Sequence, residues 1–248
     1  MNTFKSVIVW FLAVSFLVVM FPISLIIWTL VLPFDKNRVV IHWILTWQGI
    51  LLMRLLSASG IKIQGREKVV RGTTYVIISN HQSILDTLLL FCLKYKFKWI
   101  SKIENVRIPI LGWYLKLADY IIVDRGNEES KIEMLDKSYR CLKKGISIMI
   151  FPEGTRSKDG EIGLFKRGAF QLAIDANVPI LPVLIDGTGN LLPKHKLVLE
   201  TGQGLRFRIL DPILPDTFNT KNPDELAAKI SSMYTWELKR LRDNNHAL

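Results

Sequence analysis

The sequence predicts an α/β domain with a largely parallel central sheet flanked by helices, preceded by an N-terminal membrane-anchoring helical segment. After Gly60, short β-branched and aromatic runs alternate with helical patterns, as in proteins with parallel sheets. Residues 6–34 carry no charged side chain, and these 29 positions exceed the roughly 20 needed to cross a bilayer's hydrocarbon core. We therefore predict membrane-anchoring or interfacial helices in residues 1–59 and the α/β domain in residues 60–248.

Within the α/β region, strand-like and helical patterns follow one another along the chain. Strands are expected at residues 61–64, 74–79, 98–101, 120–123, 147–151, 180–185, 197–200 and 205–210. Helices are expected at residues 84–95, 109–117, 128–144, 167–175 and 223–242. Such alternation favours a parallel sheet covered by helices on both faces.

The apolar run at residues 6–34 is too long for a cleaved signal peptide, whose apolar region spans about 7–15 residues. We interpret it as a retained anchor in which Pro22 marks a kink or the apex of a re-entrant hairpin. The next apolar segment, residues 39–58, contains Trp43 and Trp47 and suits either an interfacial helix or a core helix of the domain. The basic remainder of the chain favours the cytoplasmic face of the membrane.

The composition excludes several classes of site. A net charge of +11 indicates anionic partners, either nucleic acid or lipid headgroups and phosphate-bearing substrates. Interleaved aromatic and basic residues, typical of nucleic-acid binders, are missing, so no nucleic-acid partner is expected. The four histidines are scattered and the two cysteines lie in apolar helical patterns, so no metal site or disulfide is expected. Phosphate-binding Gly-rich loops and the Gly-x-Ser-x-Gly elbow are absent from the sequence.

His81 and Asp86 lie where a predicted buried strand turns into a predicted helix. Five positions in a regular helix correspond to about 140° of rotation, so the two side chains meet only if His81 lies in the turn. In that arrangement the carboxylate would orient the imidazole as a base. The alternative is structural, because Ser83 and Asp86 have the spacing of a capping box at a helix start.

Other polar groups follow other predicted strands. Arg156 comes after residues 147–151, within the sequence Pro-Glu-Gly-Thr-Arg, and its guanidinium suits a phosphate. Lys102 and Arg125 follow two further strands. Ligands of open α/β sheets gather at the carboxyl ends of strands, so these cations are expected to converge on an anion. The alternative is a polar turn and two solvated surface charges.

Four blocks of sequence, within about residues 74–186 and in matching order, resemble the glycerolipid acyltransferases. Asn80-His81 with Asp86 is similar to their His-x4-Asp motif, and residues 151–157 are similar to their second signature. The segment that contains Lys102-Ile103-Glu104 and Val123-Asp124-Arg125 is similar to the region between those motifs. Residues 178–183 resemble the last block. The best agreement is with 1-acylglycerol-3-phosphate acyltransferases. Asn105 and Ala118-Asp119 depart from the usual pattern, which leaves the identity of the acceptor open.

The resemblance implies acyl transfer from acyl-CoA or acyl-carrier protein to the sn-2 hydroxyl of 1-acylglycerol-3-phosphate, without a cofactor. His81 and Asp86 would be the catalytic dyad. The implied substrate-binding residues are Lys102, Arg125, Glu153, Gly154, Thr155 and Arg156. Backbone N–H groups near Ser83 or Gly154 would bind the oxyanion. Three alternatives remain open: another acceptor such as glycerol-3-phosphate or another lysophospholipid, a membrane-tethered hydrolase, and a basic membrane or nucleic-acid binder. Oligomeric state is also open.

Overall fold

The computed structural model describes residues 3–57, 60–200 and 204–243. In chain order its helices and strands are α1 (Thr3–Val31), α2 (Val39–Leu56), β1 (Ile61–Gln64), β2 (Val76–Ser79), α3 (Leu85–Leu90), β3 (Phe97–Lys102), α4 (Leu111–Leu117), β4 (Ile121–Val123), α5 (Glu128–Lys143), β5 (Ser147–Ile150), α6 (Gly168–Ala176), β6 (Ile180–Asp186), α7 (Thr188–Leu191), β7 (Leu205–Ile209) and α8 (Pro223–Asp243). The predicted fold class is confirmed.

The seven strands form one sheet in the order β1-β7-β6-β2-β5-β3-β4. All neighbouring pairs are parallel except β6 and β7, which are antiparallel. The central strands β2 and β6 are buried along their whole length. Burial on both faces is the physical reason why their sequences are continuous apolar runs and do not alternate.

Helices cover both faces of the sheet. On one face, α2, α3 and α4 pack over side chains such as Ile77 and Met149. On the other, α5, α6 and α8 pack over Val76, Ile78 and Ile148. Adjacent β2 residues therefore enter different cores, as the period of two in a strand requires.

The first two helices differ in how much of their surface the domain covers. Both are long and apolar enough to cross a membrane, but only 11% of the apolar window of α1 is buried, against 56% for α2. Helix α1 continues through Pro22 without interruption, so the hairpin lies between the two helices and its apex is not at Pro22. Asp35 lies four residues before the first residue of α2. Its carboxylate stabilises the start of that helix by accepting hydrogen bonds from the N–H groups of Val39 (2.8 Å) and Val40 (2.7 Å).

Helix α2 contributes Ile41, Leu45 and Met53 to the core beneath the sheet. The core-helix interpretation therefore holds for the inner face of α2, whereas Trp47 and Leu51 on its outer face are exposed. Ala58, the last residue of the predicted segment, lies outside the described residues. The division of the chain at residue 59 stays a prediction.

One predicted element is wrong, and another is wrong in part. Residues 197–200 form no strand, because their polar backbone groups bind elsewhere. The N–H of Leu199 donates to Ser6 Oγ of α1 (3.1 Å), and the N–H of Glu200 donates to the carbonyl of Leu191 (2.8 Å). The helix expected at 84–95 is α3 followed by a 3₁₀ turn at Phe91–Leu93, ended by Lys94 in a left-handed conformation.

Candidate active site

Six of the sequence-predicted site residues line one cavity of about 450 Å³ at the carboxyl edge of the sheet: His81, Lys102, Arg125, Gly154, Thr155 and Arg156. His81 follows β2, Lys102 ends β3, Arg125 follows β4 and Arg156 follows β5. These four strands are parallel neighbours, so their carboxyl ends meet on the same side of the sheet. The sheet topology therefore brings these four side chains together at one edge of the sheet, as expected.

His81 and Asp86 are in direct contact. Nδ1 of His81 lies 2.8 Å from Oδ2 of Asp86. A carboxylate only accepts hydrogen bonds, so Nδ1 carries the proton and Nε2 of the neutral ring keeps its lone pair. The His81 side chain is 16% exposed and lines the cavity, whereas Asp86 is completely buried. The pair therefore has the geometry of a base and its orienting group.

Asp86 also organises the start of α3. Its Oδ2 accepts hydrogen bonds from the backbone N–H groups of Gln82 (2.6 Å) and Ser83 (2.8 Å), and its Oδ1 accepts one from the Thr188 hydroxyl. The bond to the Ser83 N–H is one half of a capping box. The other half is missing, because the Asp86 N–H donates to the Ser83 carbonyl (3.1 Å). The Ser83 hydroxyl instead accepts from the Leu85 N–H (3.4 Å) and donates to the carbonyl of Leu192 (2.8 Å). The helix-capping contacts of Asp86 therefore coexist with its contact to His81.

The His81 ring is held against an aromatic wall. It stacks on Phe151 with centroids 3.9 Å apart and ring planes 10° apart. The backbone carbonyl of His81 accepts a hydrogen bond from the N–H of Ser157 (2.7 Å). Backbone and ring are both fixed, which limits the positions that Nε2 can adopt.

Glu153 lies behind His81 and is not among the residues that line the cavity. One of its oxygens accepts a hydrogen bond from the His81 N–H (2.8 Å), and the other accepts from the Gly163 N–H (3.1 Å). Burial raises the pKa of the Glu153 carboxyl, and the two backbone donors oppose that shift. The resemblance implied that Glu153 binds substrate, and the structure places its carboxylate against the backbone N–H groups of His81 and Gly163.

We expect Glu153→Gln to destabilise the fold by about 1–3 kcal/mol, because its amide NH₂ must face one of two backbone N–H donors. Urea unfolding followed by circular dichroism measures this change. Glu161→Gln, on the exposed side of the same loop, is the matched control. It replaces the ion pair of Glu161 with Arg242 (2.5 Å) by a neutral contact and should alter the free energy of unfolding by less than about 1 kcal/mol. Equal stability of the two variants would contradict the supporting role.

Gly154 lets the loop after β5 pass close to other side chains. Its φ is +69°, in the left-handed region that glycine adopts without strain. A Cβ added there would lie 3.1 Å from the Lys166 side chain. The carbonyl of Gly154 accepts a hydrogen bond from the Arg125 guanidinium, which ties the loops after β4 and β5 together. Desolvation lowers the pKa of Arg125, and Glu104 opposes that shift.

The N–H groups of Ser83 and Gly154 both have hydrogen-bond partners within the protein. The Ser83 N–H donates to Asp86, and the Gly154 N–H donates to the carbonyl of Phe151 (3.0 Å). These two groups are therefore not free to bind an oxyanion, whereas the expectation for N–H groups near them stays a prediction. The Thr155 hydroxyl lines the cavity beside Arg156 and is a donor that can face a developing negative charge.

We call the part of the cavity that is lined by Lys102, Arg125 and Arg156 its cationic mouth. Behind this mouth, the cavity continues between the helices that cover the sheet. Its walls are mainly apolar side chains of α2, α3 and α4, with contributions from the strands: Leu45, Leu52, Leu88, Phe91, Trp99, Leu111 and Leu115. A cavity with a cationic mouth and an apolar interior suits an amphipathic molecule that carries a phosphate and a hydrocarbon chain.

Among the residues that the structure describes, no group of three or more His, Cys, Asp or Glu side chains is placed to hold a metal ion.

The family model described as Acyltransferase matches residues 60–186, which is just over half of the chain. The chain belongs to the acyltransferase family. The predicted resemblance is confirmed, since the similar curated proteins carry the name that the motifs indicated.

Two relatives and one solved structure illustrate the similarity. A chloroplastic 1-acyl-sn-glycerol-3-phosphate acyltransferase of Brassica napus is 36% identical over 74% of this chain and 53% of its own length. One from Saccharomyces cerevisiae is 30% identical over 77% of this chain and 63% of its own length. The crystal structure of PlsC, the 1-acyl-sn-glycerophosphate acyltransferase of Thermotoga maritima, superposes with a TM-score of 0.83 at 26% identity, covering 97% of this chain and 96% of that one.

The chain spans about half the length of the Brassica napus relative (53%) and of a chloroplastic 1-acyl-sn-glycerol-3-phosphate acyltransferase of Arabidopsis thaliana (51%). Family membership rests on the α/β domain, where both the dyad and the cationic mouth lie.

Asn80, the first residue of the His-x4-Asp block, has a structural position. Its side chain donates to the carbonyl of Ile185 (2.8 Å) and accepts from the N–H of the same residue (2.8 Å). Asn80 thereby joins the ends of β2 and β6 immediately before His81.

Lys194 lies at the mouth of the cavity and was missed by sequence reasoning. It contacts the backbone carbonyl of Arg156 (3.1 Å) and the hydroxyl of Thr155 (3.4 Å). It belongs to none of the four sequence blocks, and the only sequence signal is a lysine after Pro193 in a polar connection. The residue separation of 38 from Arg156 hides the contact from pattern reasoning.

Proposed function

We propose that this protein transfers an acyl chain from a thioester donor, acyl-CoA or acyl-carrier protein, to the sn-2 hydroxyl of 1-acylglycerol-3-phosphate, forming phosphatidate. The observation that carries the proposal is the position of the His81–Asp86 pair at the boundary between a cationic mouth and an apolar interior. The names of the similar proteins support the choice of acceptor.

A hydroxyl is a weak nucleophile at neutral pH and needs a base during its attack. In the proposed reaction, His81 Nε2 takes the hydroxyl proton while the oxygen forms a bond to the thioester carbonyl carbon. Asp86 stabilises the imidazolium that results. The tetrahedral intermediate then collapses, the carbon–sulfur bond breaks, and the imidazolium proton passes to the departing thiolate. The acceptor supplies the oxygen, so the protein needs no nucleophilic serine.

The cations at the mouth would bind the acceptor phosphate. Arg156, Lys102 and Arg125 line the opening. Lys102 also pairs with the exposed Glu104 at 2.6 Å, an interaction that a phosphate can replace. Charge-assisted hydrogen bonds from several cations would hold the headgroup while the hydrocarbon chain enters the apolar part of the cavity.

The surroundings of the mouth suit a substrate drawn from a membrane. Ile84 and Leu111 line the cavity and are also exposed, and the neighbouring Trp113 is half exposed. Helix α1 rises about 43 Å over its 29 residues, more than the roughly 30 Å hydrocarbon core. We propose that α1 and the outer face of α2 anchor the protein in the bilayer, with the catalytic domain on the cytoplasmic face.

A donor-by-acceptor activity matrix on membranes that contain the protein tests the proposal. Acyl-CoA and acyl-carrier protein are each offered with lysophosphatidate, glycerol-3-phosphate or another lysophospholipid. We expect phosphatidate from lysophosphatidate as the main product. A different preferred acceptor would change the substrate assignment, and free fatty acid formed without an acceptor would indicate a hydrolase.

For Arg156→Ala we expect the KM for lysophosphatidate to rise about tenfold or more, because a charge-assisted contact to the phosphate is lost. The kcat should change much less, since the arginine does not contact the dyad. Initial-rate kinetics at saturating donor measure both constants. Arg140→Ala is the matched control, because Arg140 forms an exposed ion pair with Asp136 on α5. An unchanged KM in the Arg156 variant would place the phosphate elsewhere.

A further inference from the structure

We propose that Lys194 binds a substrate phosphate at the active site, and that helix α1 holds it in position. The inference rests on the proposed acyltransferase function and deepens it. It adds a binding residue outside the four sequence blocks and assigns α1 a second role besides anchoring.

Lys194 lies in the cavity of the proposed active site. Its side chain lines the same cavity as His81, Arg156 and Lys102. Its ammonium group contacts one carbonyl and one hydroxyl, both on the loop after β5. Neither partner is charged, so these contacts do not neutralise the positive charge of Lys194, which lines the cavity where a phosphate is expected.

Lys194 also borders a second cavity, which is polar and has a volume of about 650 Å³. Arg206 in its wall forms an ion pair with Asp186, and Arg242 forms ion pairs with Asp186 and Glu161. Within the described part of the chain, Lys194 contacts no carboxylate. The shared ligand chemistry is a phosphate, and two sources fit the location: the acceptor headgroup from the first cavity and the phosphorylated arm of the acyl donor from the second.

Hydrogen bonds connect the segment that contains Lys194 to helix α1. A turn closed by the bond from the Lys196 N–H to the Pro193 carbonyl (3.1 Å) links Lys194 to Leu197. The Leu197 carbonyl accepts a hydrogen bond from the Trp10 indole (2.7 Å). Two residues after Leu197, the N–H of Leu199 donates a hydrogen bond to Ser6 Oγ of α1 (3.1 Å).

On its other side the same connection is fixed to the catalytic turn, because the Ser83 hydroxyl donates to the carbonyl of Leu192 (2.8 Å). Lys194 therefore lies on a short connection that is held at one end by the turn bearing His81 and at the other by α1. Most of the α1 surface lies outside the domain's core, so these hydrogen bonds are specific attachments of an otherwise weakly covered helix.

The test compares Lys194→Ala with Lys196→Ala in full-length protein in membranes. Lys196 lies on the same connection, is 60% exposed and faces Glu200, so it is the matched control. We expect Lys194→Ala to raise the KM for one phosphate-bearing substrate about 5- to 30-fold with kcat within about twofold. Lys194→Arg, which keeps the charge, should recover most of the loss.

The KM that changes identifies the source of the phosphate: that of lysophosphatidate indicates the acceptor headgroup, and that of acyl-CoA indicates the donor. A reduced kcat with both KM values unchanged would overturn the proposal, since that pattern means Lys194 only supports the loop. Wild-type protein that does not acylate lysophosphatidate would instead refute the proposed function.

A double-mutant cycle tests the role of α1. Trp10→Phe removes the indole donor but keeps an apolar ring, and we expect it to raise the same KM about 2- to 5-fold. In the Lys194→Ala background the Trp10 substitution should have no further effect, because the group it positions is gone. An equal effect in both backgrounds would overturn the link between α1 and Lys194.

Discussion

His81→Ala is expected to lower kcat/KM for acyl transfer by about 10²–10⁴-fold, the usual contribution of a positioned general base. The fold should persist. Asp86 loses one hydrogen-bond donor but keeps the N–H groups of Gln82 and Ser83 and the hydroxyl of Thr188. Phe151 loses its stacking partner, a change at the cavity wall.

Turnover of a thioester donor with lysophosphatidate measures the effect, and urea unfolding measures the accompanying change in stability, expected to be below about 2 kcal/mol. His195→Asn is the matched control. His195 is an exposed histidine in a left-handed conformation, which asparagine tolerates. If His81→Ala kept more than a tenth of the wild-type kcat/KM, the base would have to be another group.

Asp86→Asn is expected to lower kcat about 10- to 100-fold while retaining most of the stability. The amide oxygen can take the place of Oδ2, where two backbone N–H groups and the imidazole converge, and the NH₂ can then donate to the Thr188 hydroxyl. The geometry and tautomer of His81 are kept. The negative charge opposite the forming imidazolium is lost. An ion pair is thereby replaced by a hydrogen bond from the imidazolium to a neutral amide, and a 10- to 100-fold change corresponds to about 1.4–2.7 kcal/mol.

Asp86→Ala is the comparison that separates the two roles of this residue. It leaves the buried N–H groups of Gln82 and Ser83 without a partner, at a cost of about 1–3 kcal/mol each. We expect it to lower the unfolding free energy far more than Asp86→Asn does. If Asp86→Asn retained full activity per folded molecule, Asp86 would be a helix cap only.

Patterns that are local in sequence predicted much of the site. A buried strand followed by a polar turn is readable from a dozen residues, and parallel strands bring their carboxyl ends together whatever their order in the sheet. His81, Lys102, Arg125 and Arg156 therefore line one cavity, as expected. Their chemical roles stay predictions until the kinetics are measured.

Other residues could not be placed from patterns because their partners are distant in sequence. Glu153 was grouped with the substrate-binding residues, but its oxygens bind backbone N–H groups 72 and 10 residues away. Residues 197–200 have the composition of a strand, yet their hydrogen bonds go to α1 and to Leu191 at the end of α7. An apolar run specifies burial, and the surrounding structure selects the partner.

The sequence by itself determined the α/β class, the N-terminal apolar helices and the strand-to-helix junction that places His81 beside Asp86, because each depends on hydrophobic period or on residues a few positions apart. Only the tertiary structure decided that α2 forms a wall of the cavity and that Lys194 reaches its mouth. The attachment of Leu199 to Ser6 spans 193 residues. Contacts at that separation follow from how the whole chain packs, which no local pattern encodes.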